Sequence, residues 1–386
     1  MKPSLISAEI HLPSVAHNVR ELRRITSPSA RFMAVVKANA YGHGAVPVAM
    51  SALQNGADAL GVARIEEGIQ LREAGIKAPI LIFGHTDPDL APALIDFELT
   101  PTVFSFRTAE RLSGQASARG KSIRVHIKVD TGMGRIGLLP DTLREPDNLA
   151  SSRSLTREIS RIARLPGLEI EGIYTHFACA DTGDKSYTRQ QLALFLEITE
   201  RLFESGVHIP LRHAANSGAL ISYPETHLDM VRPGISLYGL YPSADVDQNR
   251  VSLQPAMTFK ASIVQLKEVP PGFSISYGRT YTTDKKTRIA TVSVGYADGL
   301  NRRLSSRGQM LVHGIKAPVV GRVCMDLTLI DVGHISNVRI GDEAVIFGTQ
   351  NGAVLPVDEI AATLGTINYE VVTGISERVP RVYTGG

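Results

Sequence analysis

The stretch VVKANAYGHG, residues 35–44, carries an apolar, strand-like run straight into Lys37 and then into a polar, Gly-rich turn with Tyr41 and His43. A lysine at the end of a buried strand must desolvate or find a partner, because an isolated ammonium is costly in low dielectric and tends to give up its proton. The neutral amine that results is a nucleophile and a base. For a single lysine the commoner fate is plainer: the stem lies along the core edge and the head stays in water. The other run ends carry groups of the same kind: Lys128 and Arg135, then His176, then Asn216 and Ser217, then Arg232. Four potential cations among them, with Lys37, argue for a shared anion, since like charges crowd together only around an opposite one.

Two further stretches refine that chemistry. AANSGAL (214–220) and RPGIS (232–236) are ordinary loops in isolation. At the last strands of a barrel they fall where this architecture often binds phosphate through backbone N–H groups. A phosphate clamp, a strand-end lysine and a nearby arginine together suit pyridoxal phosphate. GMGRIG (132–137) also matches G-x-G-x-x-G, but its continuation LLPDTLREPDNLASS holds two prolines and no convincing helix. The helix N-terminus that would hold a pyrophosphate is missing, so these glycines are read as turning the backbone to aim Arg135 inward.

These groups need a scaffold. Between residues 31 and 240, the runs RFMAVVKA, ALGVAR, PILIFG, TPTVFS, IRVHIKV, LEIEGIYTHF, LRHAAN and LDMVRPGISLYG alternate with helical patterns such as IEEGIQLREAG and TRQQLALFLEITERLFESG. That alternation predicts an α/β fold, a (β/α)8 TIM-type barrel over 1–240, with an open doubly wound sheet as the alternative. Beyond Tyr241, short strands between Gly, Pro and Asp turns predict a C-terminal all-β domain over 241–386, with YPSADVDQNRVSLQP at the boundary.

Composition sets the class. The chain has 386 residues, 43% hydrophobic and 20% charged, with a formal net charge of +3. That balance fits a soluble globular protein and gives no footprint for nucleic acid. Arg153, Arg157, Arg161 and Arg164 recur at helical spacing with apolar residues between them, as on a solvated helix face. No apolar run suits a signal peptide or a membrane span, so a cytoplasmic protein is expected. Cys179 and Cys324 form no metal-ligand pair, no metal site is predicted, and two buried free thiols are expected.

Over essentially its whole length the chain resembles the alanine racemase family, a group of pyridoxal-phosphate enzymes built from a barrel and a β domain. The resemblance is carried by AVVKANAYGHG, HIKVDTGMGRIG, YTHFACAD, AANSGAL, MVRPGISLYG, ISYGRTY, VGYADGLNRR, GRVCMD and INYEVVTGISERVPR, in that order. It implies interconversion of L- and D-alanine by two bases, Lys37 and Tyr277, with D-alanine supplied for peptidoglycan. Lys37 would also carry the cofactor, and Tyr277 would come from the second subunit of a homodimer.

The same resemblance implies that Tyr41, Ser217, Ile235 and Tyr369 hold the phosphate, with Asn216 and Gly234 shaping its pocket. Arg232 would face the pyridine nitrogen, with His176 orienting it. Arg135 would contact cofactor and substrate carboxylate, and Met325 would bind that carboxylate from the partner. Tyr296 and Asp326 would line the entrance, and Lys128 matches a position that is often a carbamylated lysine. Leu327 departs from the family, where glutamine is common, and 139–155 looks like an inserted surface loop. The competing readings are a broader-specificity racemase of the same fold and a pyridoxal-phosphate carrier without turnover.

Overall fold

Parallel strands inside a barrel are covered on both faces, so their sequences run apolar without alternation. Several of the predicted runs behave accordingly, whereas IRVHIK, LEIEGIY and LRH carry charged residues among the apolar ones. A computed structural model describes residues 4–140, 143 and 152–385. In it β2 (Arg31–Val35), β3 (Ala59–Val62), β4 (Ile80–Ile82), β5 (Thr100–Val103), β6 (Ile123–Lys128), β7 (Leu168–Tyr174), β8 (Leu211–His213) and β9 (Met230–Val231) form a closed parallel barrel. Closure is the pairing of β9 with β2, Arg31 opposite Met230.

The helices between the strands show the expected one-sided burial. The long helix Ser186–Glu204 turns Leu192, Phe195, Ile198 and Leu202 inward. In the helix Ser152–Ala163, Ile159 and Ile162 are buried while Arg157 and Arg161 face solvent. The loop read as an insertion, 139–155, lies mostly outside the described residues.

The chain divides into two compact units, 14–40 with 45–254, and 1–13 with 41–44 and 255–386. The second unit is built on a nine-stranded sheet around the 13-residue strand β10 (Met257–Val269). The first strand of the chain, β1 (Ile6–His11), belongs to it, antiparallel to β10 and parallel to β19 (Arg381–Thr384). The unit is strand-rich but not purely β, since it also contains the helices Val357–Leu364 and Asn368–Thr373. A separate hairpin, β11 (Ser274–Ile275) and β12 (Tyr281–Thr282), carries Tyr277 at its tip.

Candidate active site

Lys37 follows β2, and what comes next is not an ordinary turn. Ala38, Asn39, Ala40 and Tyr41 all take φ near +51° or +52°, a left-handed turn built without glycine. Such a conformation costs an L-residue roughly 1–2 kcal/mol, so something must hold it. Glu67 is one fastener: its Oε1 accepts the Ala38 N–H at 2.6 Å, and its Oε2 accepts those of Ala63 and Arg64 at 2.6 and 3.1 Å. Asn39 is another, its Oδ1 accepting the Ala45 N–H at 2.8 Å. The Lys37 amine is shifted below its ordinary pKa, chiefly by burial and then by Arg135. The sequence signal for a reactive amine and the local geometry therefore agree.

At the end of β6, Lys128 is 4% exposed, and its pKa falls to about 7 through burial, then Arg135 and Arg232. Its Nζ stands 5.2 Å from the centroid of the Tyr174 ring. The glycine-rich loop that follows wraps its own carboxylate. Asp130 accepts the N–H groups of Gly132, Met133 and Gly134 at 2.8–3.1 Å, and a side chain at Gly137 would meet the Asp130 nitrogen at 2.5 Å. Those donors are engaged by Asp130, so GMGRIG is an Arg135-bearing loop and not a pyrophosphate cradle.

Arg232 is buried. Its Nη1 donates to His213 Nδ1 at 2.8 Å, and its Nη2 donates to the carbonyls of Thr175 and Ala214 at 2.8 and 2.9 Å. The histidine that orients Arg232 is thus His213, not His176 as expected. Strand order explains the correction: Arg232 leaves β9, whose barrel neighbour is β8, and His213 ends β8. His176 instead lies among Arg232, Lys128, Arg135 and Lys37, and burial with these four cations keeps its imidazole well below its ordinary pKa.

Ser217 stitches the last two loops together. Its Oγ accepts the N–H of Gly234 at 2.9 Å and that of Ser236 at 3.4 Å, where Gly234 opens the 3-10 turn Ile235–Tyr238. Asn216 caps the short helix Ser217–Ser222 through Ala219 N–H. Ser236 Oγ is buried and has no hydrogen-bond partner among the described residues. The Ser217 and Ser236 hydroxyls thus meet at the start of a 3-10 turn, and the Ser236 hydroxyl has a proton left to donate to an anion.

In the strand-rich unit the rings of Tyr41 and Tyr369 lie 6.0 Å apart. Three loops are clasped there: Ser276 Oγ donates to the Arg322 carbonyl, while the Tyr296 and Ala297 N–H groups donate to the carbonyls of Cys324 and Met325. These bonds join the segments that carry Tyr277, Tyr296, Met325, Asp326 and Leu327. Tyr277 is 68% exposed and Met325 53%. Arg378 bonds both Asp298 and Asp326, at 2.7 and 2.6 Å. Cys179 and Cys324 are free but half-buried, so neither is the buried thiol expected of it.

Comparison with known proteins identifies the family. The family description "Alanine racemase, N-terminal domain" matches residues 10–242, and "Alanine racemase, C-terminal domain" matches 256–383. The chain belongs to the alanine racemase family. It is 54% identical over 379 residues to an alanine racemase of Desulfosudis oleivorans, covering 98% of this chain and 96% of that protein. With the alanine racemase of Desulforamulus reducens the identity is 53% over 380 residues, covering 98% and 99%. The solved alanine racemase of Clostridium difficile 630 superposes with a TM-score of 0.92 at 39% identity, covering 100% of this chain and 97% of that one.

Among the residues just described, sequence reasoning missed Glu67, Asp130, His213 and Arg378. Glu67 had a detectable signal, standing at the third position of a helix (Ile65–Glu73) that follows a strand, where a carboxylate can take free backbone donors. The roles of the other three depend on which loops and strands meet in space.

Proposed function

We propose that this protein is a pyridoxal-phosphate-dependent amino-acid racemase acting on alanine, a cytoplasmic homodimer that supplies D-alanine for peptidoglycan. The observation that carries the reading is the convergence of Lys37, Lys128, Arg135 and Arg232, cations whose charges shift one another's protonation or that of His176 between them. A multiply anionic guest relieves that repulsion. The donor set around Ser217, with the orphaned Ser236 hydroxyl, fits the phosphate of pyridoxal phosphate, and the amine of Lys37 fits its aldehyde.

In this reading Ser217, the Ile235 N–H, Tyr41 and Tyr369 bind the phosphate, while Asn216 and Gly234 shape its pocket. Arg232 donates toward the pyridine nitrogen, and His176, held neutral, lies in the same pocket without adding charge. Bound there, pyridoxal phosphate supplies an electron sink for the substrate's Cα–H bond. Lys37 holds or takes a proton on one face of that carbon, and the phenol of Tyr277 from the partner subunit does so on the other. One base removes a proton while the opposite base delivers one, which inverts the centre. Arg135 and the Met325 N–H hold the substrate carboxylate, and Tyr296 and Asp326 line the entrance.

Lys128 suits a second chemistry. An amine with a pKa near 7 is partly neutral at physiological pH, and a neutral amine adds carbon dioxide, forming an N–C bond and releasing a proton to solvent. The resulting carbamate is an anion and would brace Arg135.

The test is chiral analysis after incubation of the cofactor-loaded protein with each amino acid separately. Interconversion of L- and D-alanine is expected, at rates above those for larger side chains. Failure to racemise alanine overturns the assignment; equal rates with larger side chains establish the broad-specificity alternative.

A further inference from the structure

Arg232 is a buried guanidinium, and among the described residues no carboxylate pairs with it directly. An uncompensated buried charge is costly, the more so beside other cations. One chain of side chains leads from it to an anion. Arg232 Nη1 lies 2.8 Å from His213 Nδ1, His213 Nε2 lies 2.8 Å from His126 Nδ1, and His126 Nε2 lies 3.4 Å from Glu171 Oε2.

The direction of every bond follows from one end. A guanidinium only donates, so His213 accepts on Nδ1. A neutral His213 then carries its proton on Nε2 and donates to Nδ1 of His126, which in turn donates from Nε2 to the Glu171 carboxylate. Burial holds both imidazoles below their ordinary pKa, and the bond from His126 holds Glu171 below its own, so the neutral and ionised forms are the ones this order needs.

Three local features are built around the chain. The pairing of β6 with β7 shifts register, Val125 opposite Ile170 but His126 opposite Gly172, so Glu171 is the extra residue of a bulge. Gly172 does not need glycine for its backbone, yet a side chain there would meet His126 Cε1 and Nδ1 at 2.6 Å. Tyr174 stacks on His213 at 4.8 Å with an interplanar angle of 10°, fixing the ring that both neighbours share.

We propose that Glu171 is the counter-ion of Arg232, acting through His126 and His213 as a directed hydrogen-bond chain across the barrel interior. Glu171 and His126 are positioning residues: neither touches the reacting atoms. Their negative end polarises each successive bond and offsets a cation that shares its pocket with Lys37, Lys128 and Arg135. The proposal deepens the function above and rests on it for what Arg232 faces, but not for the chain itself.

Nitrogen-15 NMR of the full-length protein with labelled histidine and arginine tests it without reference to turnover. Wild-type His126 and His213 are expected as Nε2–H tautomers. Glu171→Gln keeps shape and an acceptor but removes the charge; it should shift the His126, His213 and Arg232 signals together. In the loaded enzyme it should lower kcat roughly threefold to tenfold with KM little changed, and Glu171→Asp should restore part of the loss. A shift confined to His126, with Arg232 and kcat unmoved, overturns the proposal. Should Glu171→Gln fail to fold, a wild-type His213 carrying its proton on Nδ1 overturns it equally. Loss of racemase activity in the wild type would sink the functional reading and leave the tautomer result standing.

Discussion

At the scale of single residues, burial among like charges sets the chemistry, and two lysines show different consequences of it. Lys37→Ala is predicted to abolish racemisation and to shift the absorption of the retained cofactor to that of its free aldehyde, because one amine serves both; an absorption spectrum and a chiral assay on the same sample check it. Lys128 makes a prediction about stability. Its folded pKa is about 7, against roughly 10.4 for a free lysine. Between those values the unfolded chain binds more protons, so this residue makes stability rise with pH from about 7 to about 10 and imposes its full cost below that window. Lys128→Met should therefore raise the denaturation midpoint most near pH 6 and least near pH 10. Equal gains at both pH values would show that the amine is not the titrating form. If the carbamate forms, mass spectrometry from bicarbonate buffer should find a carbon dioxide adduct on Lys128 that is lost on acidification.

At the scale of elements, the left-handed turn after Lys37 is where local propensity and the final structure disagree most. Ala38 is exposed, so Ala38→Gly removes backbone strain with no packing lost and should stabilise by up to about 1 kcal/mol. Ala38→Val puts a β-branched residue at φ +51° and should destabilise by about 1–2 kcal/mol. Urea denaturation of the pair decides it; the opposite order would mean the turn is not left-handed in solution. This turn also marks the limit of what the sequence reveals. Barrel strands such as Ala59–Val62 and Ile80–Ile82 were legible because strands buried on both faces run apolar throughout. Lys37, Lys128 and Arg232 were legible because charge at the end of such a run is conspicuous. Ala-Asn-Ala-Tyr contains no glycine and no proline, so nothing local forecasts its handedness; Glu67, far along the chain, helps impose it. The exchange of His176 for His213 beside Arg232 has the same origin, since which histidine is near depends on barrel strand order.

At the scale of the whole molecule, the proposed homodimer would complete each site with Tyr277 and Met325 of the other chain. Lys37→Ala and Tyr277→Phe proteins, each inactive alone, should regain roughly a quarter of wild-type activity after mixing and subunit exchange, since half the dimers are hybrids with one intact site of two. No recovery after proven exchange would place Tyr277 and Lys37 of one chain in the same site. The sheet of the strand-rich unit has a different consequence. Ala8 pairs with Arg381 and His11 with Thr384, so the first strand of the chain lies beside the last. During synthesis every barrel strand leaves the ribosome while β1 still has neither of its neighbours, β10 or β19. β1 is thus paired only after the whole barrel has been made. Until the strand Arg381–Thr384 has been made, β1 keeps one edge unpaired and open to other strands.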